Sequence, residues 1–204
     1  MAGGGTNLTW GFPRSVPVAT GKKVGGADLA VYGGALYVVW GEGDDNGMGG
    51  IVNPVLKLAK KTGDANWQFV GIVITNVTSG RIAVSSSGIH VIVPETYGTS
   101  SKYLRSTDGG ATWSAPILLS GNNSSPGYGA LRADDNYVYL AYNDYGVPES
   151  HHIRFRRMAK NANQWEAERI VMDYSSYKTS GYVNDFEVRG RRKAQALPER
   201  FRPT

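Results

Sequence analysis

The chain has 204 residues, enough for one domain with its own core, and no cysteine, which excludes a disulfide framework, a thiolate metal site and a cysteine nucleophile. Twenty-seven glycines and 11% aromatics, with plentiful Val, Ile and Tyr, favour strands joined by tight turns, hence an all-β protein. The net charge of +5 is local: Arg189, Arg191, Arg192, Lys193, Arg200 and Arg202 face the single acid Glu199, the rest of the chain is near neutral, and no nucleic-acid partner is expected.

In chain order, Trp10–Val18 reads as a lone strand of outer type. Ala27–Trp40 reads as two strands around Gly33-Gly34, followed by a third over Val55–Ala59 and a fourth from Trp67. The same series returns as Arg81–Val93 around Ser86-Ser87-Gly88, then Lys102–Arg105, then a strand from Trp113. It returns again as Ala130–Tyr142 around Asp134-Asp135-Asn136, then His152–Met158, then a strand from Trp165. Tyr182–Val188 reads as the first strand of a further unit. The last stretch, Arg189–Thr204, has charges and prolines where alternating apolar residues are needed, and is expected to form no strand. No apolar run approaches the roughly 20 residues that span a bilayer, so no membrane span is expected. The N-terminus shows no charged-then-apolar signal pattern.

Trp10, Trp67, Trp113 and Trp165 are 57, 46 and 52 residues apart and mark a repeat. Four strands in about 50 residues is the content of one propeller blade, and a lone blade must stack on neighbours to bury its faces. The expected fold is therefore all-β, a β-propeller of about three complete four-stranded blades with partial blades at the two ends. Its units lie near 27–79, 80–128 and 129–181 within a domain over 1–188, followed by a basic tail over 189–204.

Between the third and fourth strands of the second unit stands Ser106-Thr-Asp108-Gly-Gly110-Ala-Thr112-Trp113. It resembles the Asp-box of the sialidase-like families, Ser-x-Asp-x-Gly-x-Thr-Trp, at every defined position. The other units carry decayed copies, Lys61-Thr-Gly-Asp-Ala-Asn-Trp67 and Lys160-Asn-Ala-Asn-Gln-Trp165. The resemblance implies a sialidase-type propeller in which Ser106, Asp108, Gly110, Thr112 and Trp113 form a structural turn away from the catalytic face. The chemistry suits that role: an Asp side chain accepts from nearby backbone N–H groups, glycines permit left-handed backbone, and Trp packs between layers.

Sialidases grip the substrate carboxylate with arginines and work with a Tyr/Glu pair and an acid/base Asp. In this chain the resemblance points to Arg81, in Gly80-Arg-Ile-Ala83, for the carboxylate, and to Asp44 and Asp144, in loops after second strands, for the acid/base role. Glu95, Tyr97 and Tyr145 fall at the same end and suit sugar binding, since aromatic faces pack on sugar rings and carboxylates bond hydroxyls. Three arginines with a Tyr/Glu pair do not assemble from matched motifs. The expected function is thus a module binding a glycan or protein partner through loops at the propeller mouth. The alternative is an exo-sialidase-like glycoside hydrolase, active when the ring is completed by another chain or further sequence. Adjacent histidines at His151-His152 point to opposite faces of a strand, and no metal or other cofactor is expected. Three blades leave an apolar face and open edges, which predicts a homodimer or larger self-assembly.

Overall fold

The structure, a computed structural model, describes residues 15–94, 100–120, 129–144 and 152–173. Trp10, Glu95, Tyr97, Tyr145, the strand expected at Tyr182–Val188 and the basic tail lie outside the described residues. Every regular element among the described residues is a strand.

The strands form three four-stranded antiparallel sheets, each built from consecutive strands. The first contains β1 (Lys23–Tyr32), β2 (Ala35–Asp45), β3 (Ile51–Thr62) and β4 (Gln68–Thr75). The second contains β5 (Arg81–Ser85), β6 (Gly88–Pro94), β7 (Ser100–Ser106) and β8 (Ile117–Ser120). The third contains β9 (Ala130–Ala133), β10 (Tyr137–Asp144), β11 (His152–Ala159) and β12 (Arg169–Asp173). Each first hairpin closes with the turn chemistry its sequence supplies. Gly33 and Gly34 both have positive φ, the backbone that a two-residue hairpin turn matched to strand twist requires. At the corresponding turn of the third sheet, Asp134 Oδ1 accepts from the amides of Asn136 and Tyr137, both at 2.7 Å.

The sheets stack face to face in chain order, and alternation along each strand makes two cores. Tyr37, Val39, Leu56 and Leu58 of the first sheet meet Ile82, Ile89, Val91 and Leu104 of the second. On its other face the second sheet puts Ala83, Ile92 and Tyr103 against Leu131, Val138, Leu140, Tyr142 and Met158 of the third. First strands lie side by side, β1 against β5 and β5 against β9. A blade stack buries both faces of its middle sheet in this way.

Pairing register gives position-by-position equivalence between the sheets. Val39 pairs with Asp28 and Leu58, Ile92 with Arg81 and Tyr103, and Ala141 with Ala130 and Phe155. The tryptophans that mark the three units differ in burial. Trp165 is buried and meets Tyr103 of the second sheet edge-on, with ring centroids 5.3 Å apart. Trp113 and Trp67 are half-buried. Trp113 still packs on the core between the first two sheets, whereas Trp67 packs on Val38, Trp40 and Ala59, the face of the first sheet turned away from the second. The Trp of each unit therefore seals the side facing the preceding layer, and its burial depends on what that layer supplies.

Candidate functional site

Two ends of the stack carry different chemistry. At one end lie the first hairpin turns and the Ser106–Trp113 turn. Here Asp108 is the hub: Oδ1 accepts from Ser106 Oγ at 2.8 Å and from the Thr112 amide at 2.9 Å, and Oδ2 accepts from Thr112 Oγ1 at 2.5 Å. Ser106 Oγ in turn accepts from the Gly110 amide at 2.8 Å. The Thr112 hydroxyl, then its amide, then Ser106 hold the Asp108 carboxyl well below the usual carboxylate range. Gly110 has positive φ, and a Cβ there would lie 2.5 Å from Leu58 Cδ2 of the first sheet, so the turn is pressed onto the neighbouring layer. Both oxygens of Asp108 accept from groups of its own turn.

A cleft of about 780 Å³ opens beside this turn, lined by Tyr32, Tyr37, Ser85–Ile89, Arg105, Lys160 and Asn161, among others. A hydrogen-bonded chain runs from its wall into the core: Ser87 Oγ lies 3.0 Å from His90 Nε2, and His90 Nδ1 lies 2.7 Å from the Tyr103 hydroxyl. This chain was not foreseen from sequence, where His90 is one residue in an apolar run. It resembles a nucleophile–base pair only in outline. Burial first, and Arg105 second, bring the His90 pKa down to about 4, so the ring is neutral and weakly basic at pH 7. Behind it stands a tyrosine whose ionisation burial pushes up, so no negative charge favours an imidazolium.

The opposite end carries Arg81, Asp44 and Asp144 among the residues singled out from sequence. A cleft of about 450 Å³ is lined by Gly25, Gly26, Ala27, Ile51, Thr78, Ser79, Gly80 and Arg81. Its floor depends on glycine: a Cβ on Gly25 or Gly41 would lie 2.2 or 2.0 Å from the Thr78 carbonyl oxygen, and that carbonyl accepts from the Gly26 amide at 2.9 Å. Arg81 borders the cleft, but its Nε donates to the Gly129 carbonyl at 3.2 Å and ties the second sheet to the third. Its equivalent in the first sheet is Asp28, whose Oδ2 accepts from the Ile82 amide at 2.9 Å and ties the first sheet to the second. In the third sheet the register puts Ala130 at this position.

Asp44, half-buried, and Asp45, exposed, stand at the end of β2, paired with Lys22 and Lys23 respectively. The Lys22 hydrogen bond and charge lower the Asp44 carboxyl, and the Gly47 amide and Lys23 lower Asp45, so both are ionised at neutral pH. Glu42, two residues earlier, is buried. Its Oε1 accepts from Lys57 Nζ at 2.5 Å and its Oε2 from Trp40 Nε1 at 3.0 Å. Burial raises its carboxyl, but the Lys57 and Trp40 hydrogen bonds outweigh this and leave it below its ordinary value. Asp144 ends β10 opposite His152, the register that Glu42 occupies opposite Val55 in β2. Glu95 falls at the same count after β6, three residues beyond Ile92 as Glu42 is beyond Val39 and Asp144 beyond Ala141. Each second strand thus leads to an acid at one repeated position. Sequence reading had taken Asp44, not Glu42, as the partner of Asp144, because only the register aligns the strand ends. Among the described residues no group of His, Cys, Asp and Glu is arranged to hold a metal ion, and no helix is long and apolar enough to cross a membrane.

No family model matches the sequence, and no curated protein matches it. Solved structures of low identity are similar in part. An α-L-arabinofuranosidase from Lactobacillus brevis aligns at 9% identity over 69% of this chain and 52% of its own, with a TM-score of 0.47. The GH43 BlXynB protein from Bacillus licheniformis aligns at 16% identity over 69% of this chain and 28% of its own, with a TM-score of 0.44. A six-bladed β-propeller lectin from Aleuria aurantia, described with a fucose recognition mode, aligns at 14% identity over 76% of this chain and 51% of its own, with a TM-score of 0.38. The chain spans about half the length of the first and third of these proteins and less of the second.

Proposed function

We propose that the chain is a carbohydrate-binding module of the sialidase-like, Asp-box propeller kind, which takes its ligand at the end where the second strands run out. The observation that carries this reading is the acid at one repeated position of each unit, Glu42, Glu95 and Asp144. Successive blades present equivalent strand ends around one mouth; Glu42 is buried on Lys57 and Trp40 and is structural, so Glu95 and Asp144 are the carboxylates of the series that would hold a hydroxyl-rich ligand by charge-assisted hydrogen bonds. Tyr97 and Tyr145 follow Glu95 and Asp144 by two residues and one residue, and supply flat faces for sugar rings. Asp44 extends the acidic rim in the first unit.

Binding is favoured over hydrolysis by the state of the named groups. Arg81 is the one match to a carboxylate-gripping arginine where the sialidase grip takes three, and its Nε already donates to Gly129. Asp44 is held ionised by Lys22 and is a poor proton donor at neutral pH. In this reading Asp108 shapes the fold and touches no ligand, as the Asp-box resemblance implies.

A glycan array probed with the intact chain, run beside a fluorogenic sialoside assay, tests the proposal. Retention of a defined set of glycans, lost in Asp144→Asn and in Glu95→Gln, is the expected result. Release of the fluorophore, abolished by Asp144→Asn, would favour the exo-sialidase-like hydrolase instead. Retention unchanged in both variants would remove the acid series from the site.

A further inference from the structure

The two seams inside the molecule follow one rule. In each, the first strand of the later sheet presents an aliphatic residue to the earlier sheet, and that residue is fully covered. Ile82 plays this part between the first and second sheets and Leu131 between the second and third, each only 1% exposed. By register Leu29 is their equivalent in the first sheet, and it is 49% exposed, with Val31 beside it at 64%. Both seams are also fastened by polar groups reaching from the earlier sheet: Asp28 to the Ile82 amide, Arg81 to the Gly129 carbonyl, and Arg105 Nη1 to the Lys160 carbonyl at 2.7 Å.

The third sheet repeats part of the reaching half of this seam on its far face, with Ala130 in place of Asp28 and Arg81. Ala141 stands where Val39 and Ile92 stand, Tyr139 where Tyr37 and His90 stand, and Arg157 where Lys60 and Arg105 stand. Arg157 lies over the Tyr137 ring and is paired with Glu166, with 41% of its side chain exposed. The turn that an equivalent of Arg105 would reach on the first sheet is Thr62–Ala65, and it carries the exposed acid Asp64. Charge therefore matches between Arg157 on the far face of the third sheet and Asp64 beside the near face of the first, whose centre at Val38, Trp40 and Ala59 is packed by Val16 and Trp67 and whose open part is β1.

We infer that the near face of the first sheet, around Leu29 and Val31, docks on the far face of the third sheet of a second copy of this chain, in a third seam of the internal kind. The contact is head-to-tail, so the same chain offers one half at each end, and two chains close on each other through two such seams. The internal seams specify the occupant: both are filled by a sheet of this same repeat.

Light scattering of the unaltered chain at tens of micromolar, with Leu29→Lys and Arg157→Glu variants, tests the inference. The unaltered chain should give twice the 22.0 kDa of one chain. Each variant spoils one half of every seam and should weaken the pair by about tenfold or more. An equimolar mixture of the two restores one good seam, because the third sheet of Leu29→Lys and the first sheet of Arg157→Glu are both intact; it should pair more tightly than either alone. A single-chain mass for the unaltered protein would overturn the inference and assign the Leu29 face to other residues of the same chain. A pair that survives both variants, or a mixture no tighter than its parts, would also overturn it. Circular dichroism checks that each variant keeps its strand signal, and the mass of the unaltered chain decides without them.

Discussion

The Ser106–Trp113 turn and the Lys160–Trp165 turn occupy the same place in successive units and are held in different ways. In both, the residue after the tryptophan donates its amide back to the third strand, Ser114 to Arg105 O at 2.8 Å and Glu166 to Arg157 O at 2.9 Å. The first turn is braced from within by Asp108, Ser106 and Thr112. The second lacks those residues and is braced from outside, by Arg105 of the second sheet on the Lys160 carbonyl and on Asn163 Oδ1. A motif that fades along a repeat marks a transfer of the same task from local bonds to the neighbouring layer.

That contrast is open to experiment, beginning with the largest effect. Trp165→Ala should cost about 3–5 kcal/mol in chemical denaturation, the range for a buried large aromatic, since Trp165 is sealed against Tyr103. Trp113→Ala should cost clearly less, because Trp113 is half-buried and its turn is self-braced. Equal costs would erase the distinction.

His90 gives the next effect, and it sharpens the role of the seam. Its pKa is lowered from 6.5 to about 4 in the folded chain, so on acidification the unfolded chain takes up the proton first. The corresponding stability is complete above about pH 6.5 and is lost as pH falls toward 4, a loss on the order of 3 kcal/mol by linkage. Thermal melts across that window should show the decline in the unaltered chain and a flatter profile in His90→Gln. A profile unchanged by the substitution would mean that His90 is not buried as described.

The smallest effects concern the two turns themselves. Arg105→Ala should cost about 1–2 kcal/mol through the Lys160 carbonyl and loosen the third sheet's turn, seen as faster amide exchange around Ala162. Asp108→Ala should lower the melting temperature and speed exchange at Gly110 and Thr112 instead. The Asp108 carboxyl is depressed in the folded chain, so its contribution is present above the ordinary carboxylate range and fades as pH falls below about 4. Asp108→Ala should flatten that part of the acid limb, and Arg105→Ala should not.

Strand order, hairpin turns and the tryptophan period are legible in the sequence because each rests on local chemistry: paired glycines, an Asp that closes its own turn, and alternation along a strand. The Ser106–Trp113 turn is legible for the same reason. The seams are not. That Arg81 and Asp28 both bridge to the next sheet depends on where Gly129 and Ile82 come to lie. Glu42 looks like one acid in an acidic loop until register places it level with Asp144, and its ion-pair partner Lys57 comes from the next strand, outside any local pattern. Trp67 and Trp113 carry the same sequence signal as Trp165, and only the facing layer decides how far each is covered.

The claim that ligand is held at the acid end, with the Asp108 turn purely structural, is tested most directly by titration calorimetry with the oligosaccharide best retained on the array. The unaltered chain, Asp144→Asn and Asp108→Ala would be compared below the melting temperature of each. The account predicts that Asp144→Asn loses affinity by at least about tenfold, the effect of removing a charged hydrogen-bonding partner, while Asp108→Ala binds as the unaltered chain does. Loss of binding in a folded Asp108→Ala chain, with Asp144→Asn unaffected, would contradict it.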